Sequence, residues 1–578
     1  MKIKQLTIHN FRSLSDLTLA MEGYSLLVGQ NNAGKTSILT ALRCFYEEGG
    51  AKFDRRTDFP KFPVGDKDSW IEIHFQTSSE EDEDLKEEYR SSDRTLRVRR
   101  YFASEDDDLA KAGQSNIFGY ENGKLSENLF YGAKNISQAK LGSAIYIPEV
   151  SKTEDALKLT GPSPLRGMIN FVMKRAVSES ESFSNLRKAF EQFDEAFKEE
   201  SSKDGFSVRL LVEEINKSIG HWGIRFGVDV NPLQPEEVVR SLLAHYIEDE
   251  NLGNERVSVS SYGQGLQRDL IYTLIRLSTK FVAPPKAKRK KEFNPDFTLI
   301  LFEEPEAFMH PSQQGRLSAS LRALSCEPDQ QVVVTTHSPH FVSRQIREFT
   351  SIVRLEKAKE STVRYQLADR DIEELMDENL GLYKTLCEKL EDDTVPVEIK
   401  NKIRNNYVDA DMASKLEEEA VQYLLWLNSE RCSLFFASHV VICEGPSEKV
   451  LFEYLISQEW PTFRNRNVYF ADALGKFNIH RHIALLSRLG IPHSVLVDRD
   501  GDADVHAIVN QFIEDRRTSL TTVVKWFDQD LESLLGIPKP KRAHLKPINA
   551  LARLCSGKIE AGKVQQLKSI LEEMIRGV

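Results

Sequence analysis

The period of the apolar positions changes several times along the chain, and each change marks an element. Lys2 to His9 alternates, with Ile3, Gln5 and Thr7 set against Lys4, Leu6 and Ile8, which predicts a half-buried strand. Ser25 to Val28 reads as a short buried strand, and Thr36 to Phe45 then carries apolar residues at helical spacing. Trp70 to Phe75 and Leu96 to Phe102 predict two more strands, with the acidic run Glu80 to Asp84 between them as a solvated loop. Ala144 to Ile147 forms another short strand before Pro148. From about Leu165 to Ile247 the period turns helical: Phe183, Leu186, Phe190, Phe193 and Phe197 recur at three and four residues. Strand-like composition returns near Val257. Phe297 to Phe302 and Gln331 to Thr335 are continuous apolar strands with polar residues at their carboxyl ends, the pattern of a parallel sheet that binds ligands at that edge. Ala283 to Lys291, with two prolines and five basic residues, predicts an exposed loop, and Asp371 to Leu427 a charged helical stretch. A new α/β unit starts at His439.

Composition narrows the class. A chain of 578 residues exceeds one hydrophobic core, and 40% apolar with 29% charged residues is the make-up of a soluble globular protein. No run of about 18 apolar residues and no signal-peptide core is present, so the expected location is the cytoplasm, without a membrane. The cysteines at 44, 326, 387, 432, 443 and 555 form no CxxC pair and have no histidine at zinc spacing, so buried thiols are expected. A formal charge of −11 argues against a broad nucleic-acid-coating surface but leaves room for a local basic groove.

The first chemistry lies at Gly29 to Thr36, Gly-Gln-Asn-Asn-Ala-Gly-Lys-Thr, which fits GxxxxGK[ST] between a strand and a helix and is therefore a P-loop. Gly29 and Gly34, with Asn31 between them, let backbone N–H groups close around phosphates. Lys35 would reach the β and γ phosphates, and Thr36 would place its hydroxyl on Mg²⁺. Three ordered signals follow: a small-residue turn, Ser261-Tyr262-Gly263, opening a helix; Glu303-Glu304-Pro305-Glu306 after the third apolar strand; and Thr336-His337-Ser338 after the fourth. A carboxylate after a buried strand can hold the Mg²⁺ shell, a second can orient water, and an imidazole on the next strand can sense the γ phosphate. These roles go to Glu303, Glu304 and His337.

The second chemistry is acidic. Val440 to Cys443 ends in Glu444, with Glu448 at i+4 on the first helical turn, and Ser494 to Val497 ends in Asp498-Arg499-Asp500. Gly475-Lys476 and a helix from Ile479 to Leu489 lie between, giving a βαβ unit with acids at one edge. Such acids repel one another unless divalent cations neutralise them, and two Mg²⁺ or Mn²⁺ ions would clamp the attacking and leaving oxygens of a phosphodiester. Asp528 to Glu532 can add a ligand, and Lys546 before Pro547 could stabilise developing phosphate charge.

P-loop, Ser261 turn, Glu303-Glu304 and His337, with Asn10-Phe11-Arg12-Ser13 at the start, resemble in order the ABC-type ATPase heads of the SMC and RecF group. Glu303 stands where that group has aspartate, and Tyr262 where its signature has glycine. Glu444 and the Asp498, Asp500 pair resemble a Toprim domain. The two together resemble the OLD (overcoming lysogenization defect) family of nucleases, which includes the nuclease subunit of Gabija antiphage systems and retron-associated nucleases. The resemblance implies an α/β chain with an ABC-type ATPase head (1–160 and 251–370) and a Toprim domain (435–578); to these the periodicity adds a helical insertion (161–250), whose apolar stripe could pack on its own domain or on a second copy of the chain, dimerisation being favoured slightly, and a helical linker (371–434). The resemblance implies ATP bound by Arg12, the P-loop, Glu303 and the Ser261–Gly263 turn, the last reaching ATP of a second copy. It further implies metals on Glu444, Glu448, Asp498, Asp500 and the Asp530-Leu531-Glu532 stretch. DNA would be the substrate, cut under nucleotide control in defence against phage, with a helicase, or a reverse transcriptase and its RNA, as candidate partner. The competing reading is a RecF-like repair ATPase whose Toprim domain binds without cutting; a topoisomerase or primase is disfavoured because no strand-passage tyrosine context or primase zinc motif is present.

Overall fold

The computed structural model describes residues 1–149, 293–406 and 428–576 except 296, 308 and 501–504, together with parts of 181–277 and residues 420 and 425. The chain divides into two compact units, residues 1–149 with 291–578, and residues 150–290. In the first unit the chain opens with strands β1 (Lys2–Phe11), β2 (Leu14–Ala20) and β3 (Tyr24–Gly29), followed by the helix Lys35–Tyr46. Next come β4 (Ser69–Gln76), β5 (Thr95–Ala103), β6 (Ile117–Glu121), β7 (Lys124–Leu129) and β8 (Ser143–Ile147). The β6–β7 hairpin turns on Asn122-Gly123, both at positive φ, the residues a tight hairpin with the strand twist demands.

Two details differ from the sequence reading. Ile3 joins Leu6 and Ile8 in the core instead of sharing a face with Gln5 and Thr7, because β1 slips register against β4 between Ile3 and Gln5, and a bulge reverses the alternation. The acidic run Glu80 to Asp84 is helical, as part of Ser79–Asp84: Ser78 and Glu81 form a reciprocal capping box, and Glu81 also pairs with the Met1 amino group at 2.8 Å.

β1, β2 and β4 to β7 form one antiparallel sheet. Its apolar face packs with the helix Lys35–Tyr46 and part of the second sheet in one core. That second sheet adds β11 (Thr298–Glu303), β12 (Gln330–Thr335), β13 (Ile352–Lys357) and β14 (Thr362–Gln366) in the order β14-β13-β3-β12-β11-β8. All neighbours are parallel except β13 with β14, so the carboxyl ends of β3, β11, β12 and β8 share one edge.

A third sheet comprises β15 (His439–Cys443), β16 (Val468–Asp472), β17 (His493–Asp498) and β18 (Thr521–Phe527), all parallel in the order β16-β15-β17-β18. The single βαβ unit expected from sequence is thus two, with β16 inserted on the far side of β15. Helices Asp369–Asn379 and Gly381–Glu391 pack against this sheet's helices Ile479–Arg488 and Val505–Asp515, the former through Arg488 to Glu378 at 2.8 Å and His480 facing the Asn379 carbonyl at 3.2 Å.

In the second unit, β9 (Ile247–Asp249) pairs with β10 (Glu255–Val257), and the helix Val208–Ile219 is capped by Ser207. The phenylalanine repeat from Phe183 to Phe197 and the basic loop 283–291 lie outside the described residues. All six cysteines are free; Cys44, Cys432 and Cys443 are buried, whereas Cys326 and Cys555 are exposed. Among the described residues no helix is long and apolar enough to cross a membrane.

Candidate functional site

The P-loop is shaped by its neighbours. Gly29 has φ of 140°, and a Cβ there would stand 2.2 Å from the Leu355 carbonyl oxygen of β13, so only glycine fits. Gly34, at φ 99°, precedes the helix Lys35–Tyr46 without a side-chain cap, which leaves the first N–H groups of a 12-residue helix for an anion. Lys35 is 5% exposed, and its ammonium spans the loop, donating to the carbonyls of Gly29 and Gln30 at 2.9 Å each. Burial lowers its pKa to about 8, against the fields of Glu304 and Glu306. Asn31 is exposed on the loop.

The strand ends bring the other groups to this edge. The Thr36 hydroxyl donates to Glu303 Oε1 at 2.7 Å, and Tyr146, at the end of β8, donates to the other Glu303 oxygen. The residues expected to share a Mg²⁺ ion are therefore already joined. Glu304 has φ of 44°, a left-handed conformation that costs a non-glycine residue on the order of 1 kcal/mol. Its Oε1 lies 3.3 Å from Nε2 of His337. Burial, then the Lys35 charge, holds the His337 imidazole down at about 4, so it is neutral near pH 7. Glu306 accepts from the His337 backbone N–H at 2.6 Å, while its second oxygen is buried without a hydrogen bond. Arg12 leans along the same helix, bound to Asp58 at 2.8 Å and Thr40 at 3.2 Å. Tyr146 and Glu306 escaped the sequence reading: Tyr146 had no signal, whereas Glu306 closes the Glu-Glu-Pro-Glu stretch.

Ser261 and Gly263 belong to the second unit. Ser261 ends a short 3-10 turn, and the Gly263 carbonyl accepts from the N–H groups of Leu266 and Gln267, so the turn does open a helix. Tyr262 donates its hydroxyl to Asp249 at 2.6 Å.

The acids of the third sheet gather at its carboxyl edge. Glu444 follows β15 and accepts from the Asp498 N–H at 3.1 Å. Glu448 sits in the first turn of the helix Pro446–Gln458 and accepts from the Gly445 N–H at 3.3 Å. Asp530 caps the helix Leu531–Leu535 through Ser533, and Glu532 is buried within it. Burial and mutual repulsion raise three of these acids: Asp498 to about 8, Glu448 to about 7, and Glu444 in the same direction. Asp530 behaves oppositely, since bonds from Lys539 and Ser533 outweigh its burial and bring it to about 2. Lys546 begins the helix Lys546–Cys555, and its charge acts on Glu444.

Lysines hold the two outer aspartates. Lys476, 2% exposed, donates to Asp500 at 2.9 Å, and Lys539 donates to Asp530 at 2.8 Å. Asp500, like Glu304, is the later acid of its strand end and is left-handed, with φ of 54°. Lys476 is the residue the sequence showed without a role; the Gly-Lys pair after an acidic strand end was its only signal.

Among the described residues no three His, Cys, Asp or Glu groups close into a metal cage. Three of the carboxylates are engaged within the protein instead, Asp500 by Lys476, Asp530 by Lys539 and Glu444 by the Asp498 N–H. The donor set still fits a hard divalent cation: it is all oxygen, and Asp498 Oδ1 and Glu532 Oε1 are buried with no hydrogen-bond partner.

Within the first unit the P-loop and β13 are bonded to the amino ends of β15 and β17, opposite the acid edge. Gln30 of the P-loop donates to Ser438, the residue before β15, at 2.7 Å. Arg354, on β13 opposite Val28, has its side chain 1% exposed and donates to the Leu489 and Gly490 carbonyls at 3.2 Å, with Glu356 at 2.8 Å. Gly490 has φ of 66°, and a Cβ would meet the Tyr365 ring at 2.1 Å, so the turn that presents these carbonyls requires glycine.

Residues 1–159 and 170–342, more than half of the chain, match the AAA ATPase domain family, and residues 435–500 match the overcoming lysogenization defect protein-like TOPRIM domain. The chain is 22% identical over 527 residues to Endonuclease GajA of Bacillus cereus (strain VD045), covering 86% of this chain and 75% of that protein. With Endonuclease GajA of strain HuB5-5 the identity is 21% over 589 residues, covering 93% of this chain and 79% of that protein. Old nuclease of Escherichia phage P2 is 24% identical over 383 residues, covering 65% of this chain and 62% of that protein. The chain belongs to the AAA ATPase domain family and carries an OLD-like TOPRIM domain beyond its ATPase strands.

Proposed function

We propose that the protein is an ATP-binding DNA endonuclease of the cytoplasm, dependent on Mg²⁺ or Mn²⁺ and controlled by its nucleotide state, that defends its host against phage. The observation that carries this reading is the set of buried, partly orphaned carboxylates at one edge of a parallel sheet, where a merely structural role would leave their repulsion uncompensated. Glu444, Glu448, Asp498, Asp500, Asp530 and Glu532 would hold two ions. When bound, the ions would polarise the phosphodiester and supply a hydroxide nucleophile. Lys546 would meet charge developing on the phosphate. Lys476 keeps Asp500 in register, and the strand-end N–H of Asp498 orients Glu444.

At the other edge Gly29, Asn31, Gly34, Lys35 and Thr36 would cradle ATP. Glu303 with Thr36 would hold its Mg²⁺, Glu304 would orient water, and neutral His337 would read the γ phosphate. The Ser261–Gly263 turn would complete the site of a second copy, making a homodimer or larger assembly, with a helicase or a reverse transcriptase and its RNA as candidate defence partner. Nucleotide control would run through the third sheet itself, because Gln30 and β13 are bonded to the residues that lead into β15 and β17, the strands whose far ends carry Glu444 and Asp498. The alternative, a repair ATPase that does not cut, leaves Asp498 and Glu532 without a purpose.

Incubating the purified protein with supercoiled plasmid and Mg²⁺ or Mn²⁺, across nucleotide states, tests the proposal. Nicked or linear product with metal and none with chelator is expected. Intact plasmid under every nucleotide and metal condition would favour the repair ATPase.

A further inference from the structure

Negative charge at the acid cluster repels DNA, so a nuclease needs cations beside it to seat the backbone. From Ser533 to Ile559 the chain has no Asp or Glu, while Lys539, Lys541, Arg542, Lys546, Arg553 and Lys558 are cationic, in a protein whose net charge is −11. This segment lies against the cluster at both ends of its densest part. Lys539 is bonded to Asp530 at 2.8 Å and its charge also acts on Glu532 and Asp498. Seven residues on, Lys546 acts on Glu444, and the helix it begins packs on the helix that carries Glu448. Between these anchors Lys541 and Arg542 are exposed, and among the described residues neither they nor Lys546 has an ion-pair partner.

We infer that the strip Lys539–Lys546 is the docking surface for the phosphate backbone of duplex DNA, with Lys541 and Arg542 as its free phosphate ligands. The inference rests on the nuclease reading and adds where the substrate sits. Four cations within eight residues, with Pro540 inside the run and Pro538 and Pro547 flanking it, fix positive charge along a short path beside the acids. Backbone phosphates bound there would bring a phosphodiester to the cluster, and affinity would fall steeply with salt as counterions are released.

Binding of a labelled short duplex in Ca²⁺ buffer, followed over a salt series, tests this. K541A/R542A should bind at least about tenfold more weakly at low salt, and the slope of log affinity against log salt should fall by about 1.8, two phosphate contacts at roughly 0.9 each. K541R/R542K should bind as the parent does. ATP affinity and melting temperature should be unchanged in both, since neither residue contacts the nucleotide edge or the core. A double-alanine variant that binds duplex with parental affinity and slope overturns the inference, as does one that loses affinity for RNA of the same length but not for DNA. A parent that neither binds nor cuts duplex overturns the nuclease reading and the strip together, whereas a parent that cuts beside an unaffected variant overturns the strip alone.

Discussion

Replacing Asp498 by Asn is expected to abolish DNA cleavage and, in metal-free protein at pH 8, to raise the melting temperature. Asp498 is buried beside Glu444, Glu448, Asp500 and Asp530, and burial first, then these charges, lift its pKa to about 8. An unfolded chain releases the same proton near pH 4. Between those values the folded state holds more protons than the unfolded one, so stability falls as pH rises, at up to about 1.4 kcal/mol per pH unit for one group. The cost is complete above pH 8 and absent below pH 4. Glu448, raised to about 7, adds to it in the same sense. Asn keeps the shape and the backbone N–H that Glu444 accepts, yet cannot ionise, so the variant should be more stable than the parent at pH 8 by on the order of a few kcal/mol and should match it near pH 4. Mg²⁺ should stabilise the parent more than the variant, because the ion rewards the ionised carboxylate. Thermal melts across this pH range check the claim; a variant that melts below the parent at pH 8 would show that Asp498 is a satisfied structural acid.

Lys35→Ala should reduce ATP affinity at least about a hundredfold, since charge-assisted bonds to two phosphates contribute about 1.5–3 kcal/mol each. The ammonium is the only charged donor the loop itself supplies, held over the Gly29 and Gln30 carbonyls that it would share with ATP. Its removal also leaves those carbonyls without that donor, so the melting temperature must be followed alongside calorimetric titration. Glu304→Gln is the contrast: it leaves the phosphates their donors but removes charge at the attacking water, so ATP should bind and persist. Parental ATP affinity in the alanine variant would remove the loop from the nucleotide site.

What was legible in the chain was local. Gly29 to Thr36 carries its mechanism in contiguous residues, and the strands leading to Glu303, Thr335, Glu444 and Asp498 each hold a continuous apolar run because both faces are buried. β18, Thr521–Phe527, mixes polar positions with apolar ones, so periodicity did not reveal it, and β16 has only a four-residue apolar run, Val468 to Ala471. The bulge in β1 and the capping box at Ser78 also depend on partners outside the periodic pattern, Gln76 to Trp70 on β4 and the reciprocal Glu81. The residues missed at the site share a cause: Lys476 meets Asp500 across 24 positions, Tyr146 meets Glu303 across 157, and Arg354 meets Gly490 across 136. Such pairs exist only once the sheet order is set, and nothing in one strand announces its partner.

The central claim is that one chain holds two separable chemistries, nucleotide binding at one sheet edge and metal-dependent cutting at another. The direct test carries the parent, Lys35→Ala and the triple variant Glu444→Ala, Asp498→Ala, Asp500→Ala through ATP titration and plasmid cleavage side by side in one Mn²⁺ buffer. The triple variant should bind ATP as the parent does and cut nothing, while Lys35→Ala should lose ATP and keep its acid cluster, cutting without nucleotide control. A triple variant that cuts plasmid at the parental rate would contradict the account and leave the ATPase as the chain's one activity.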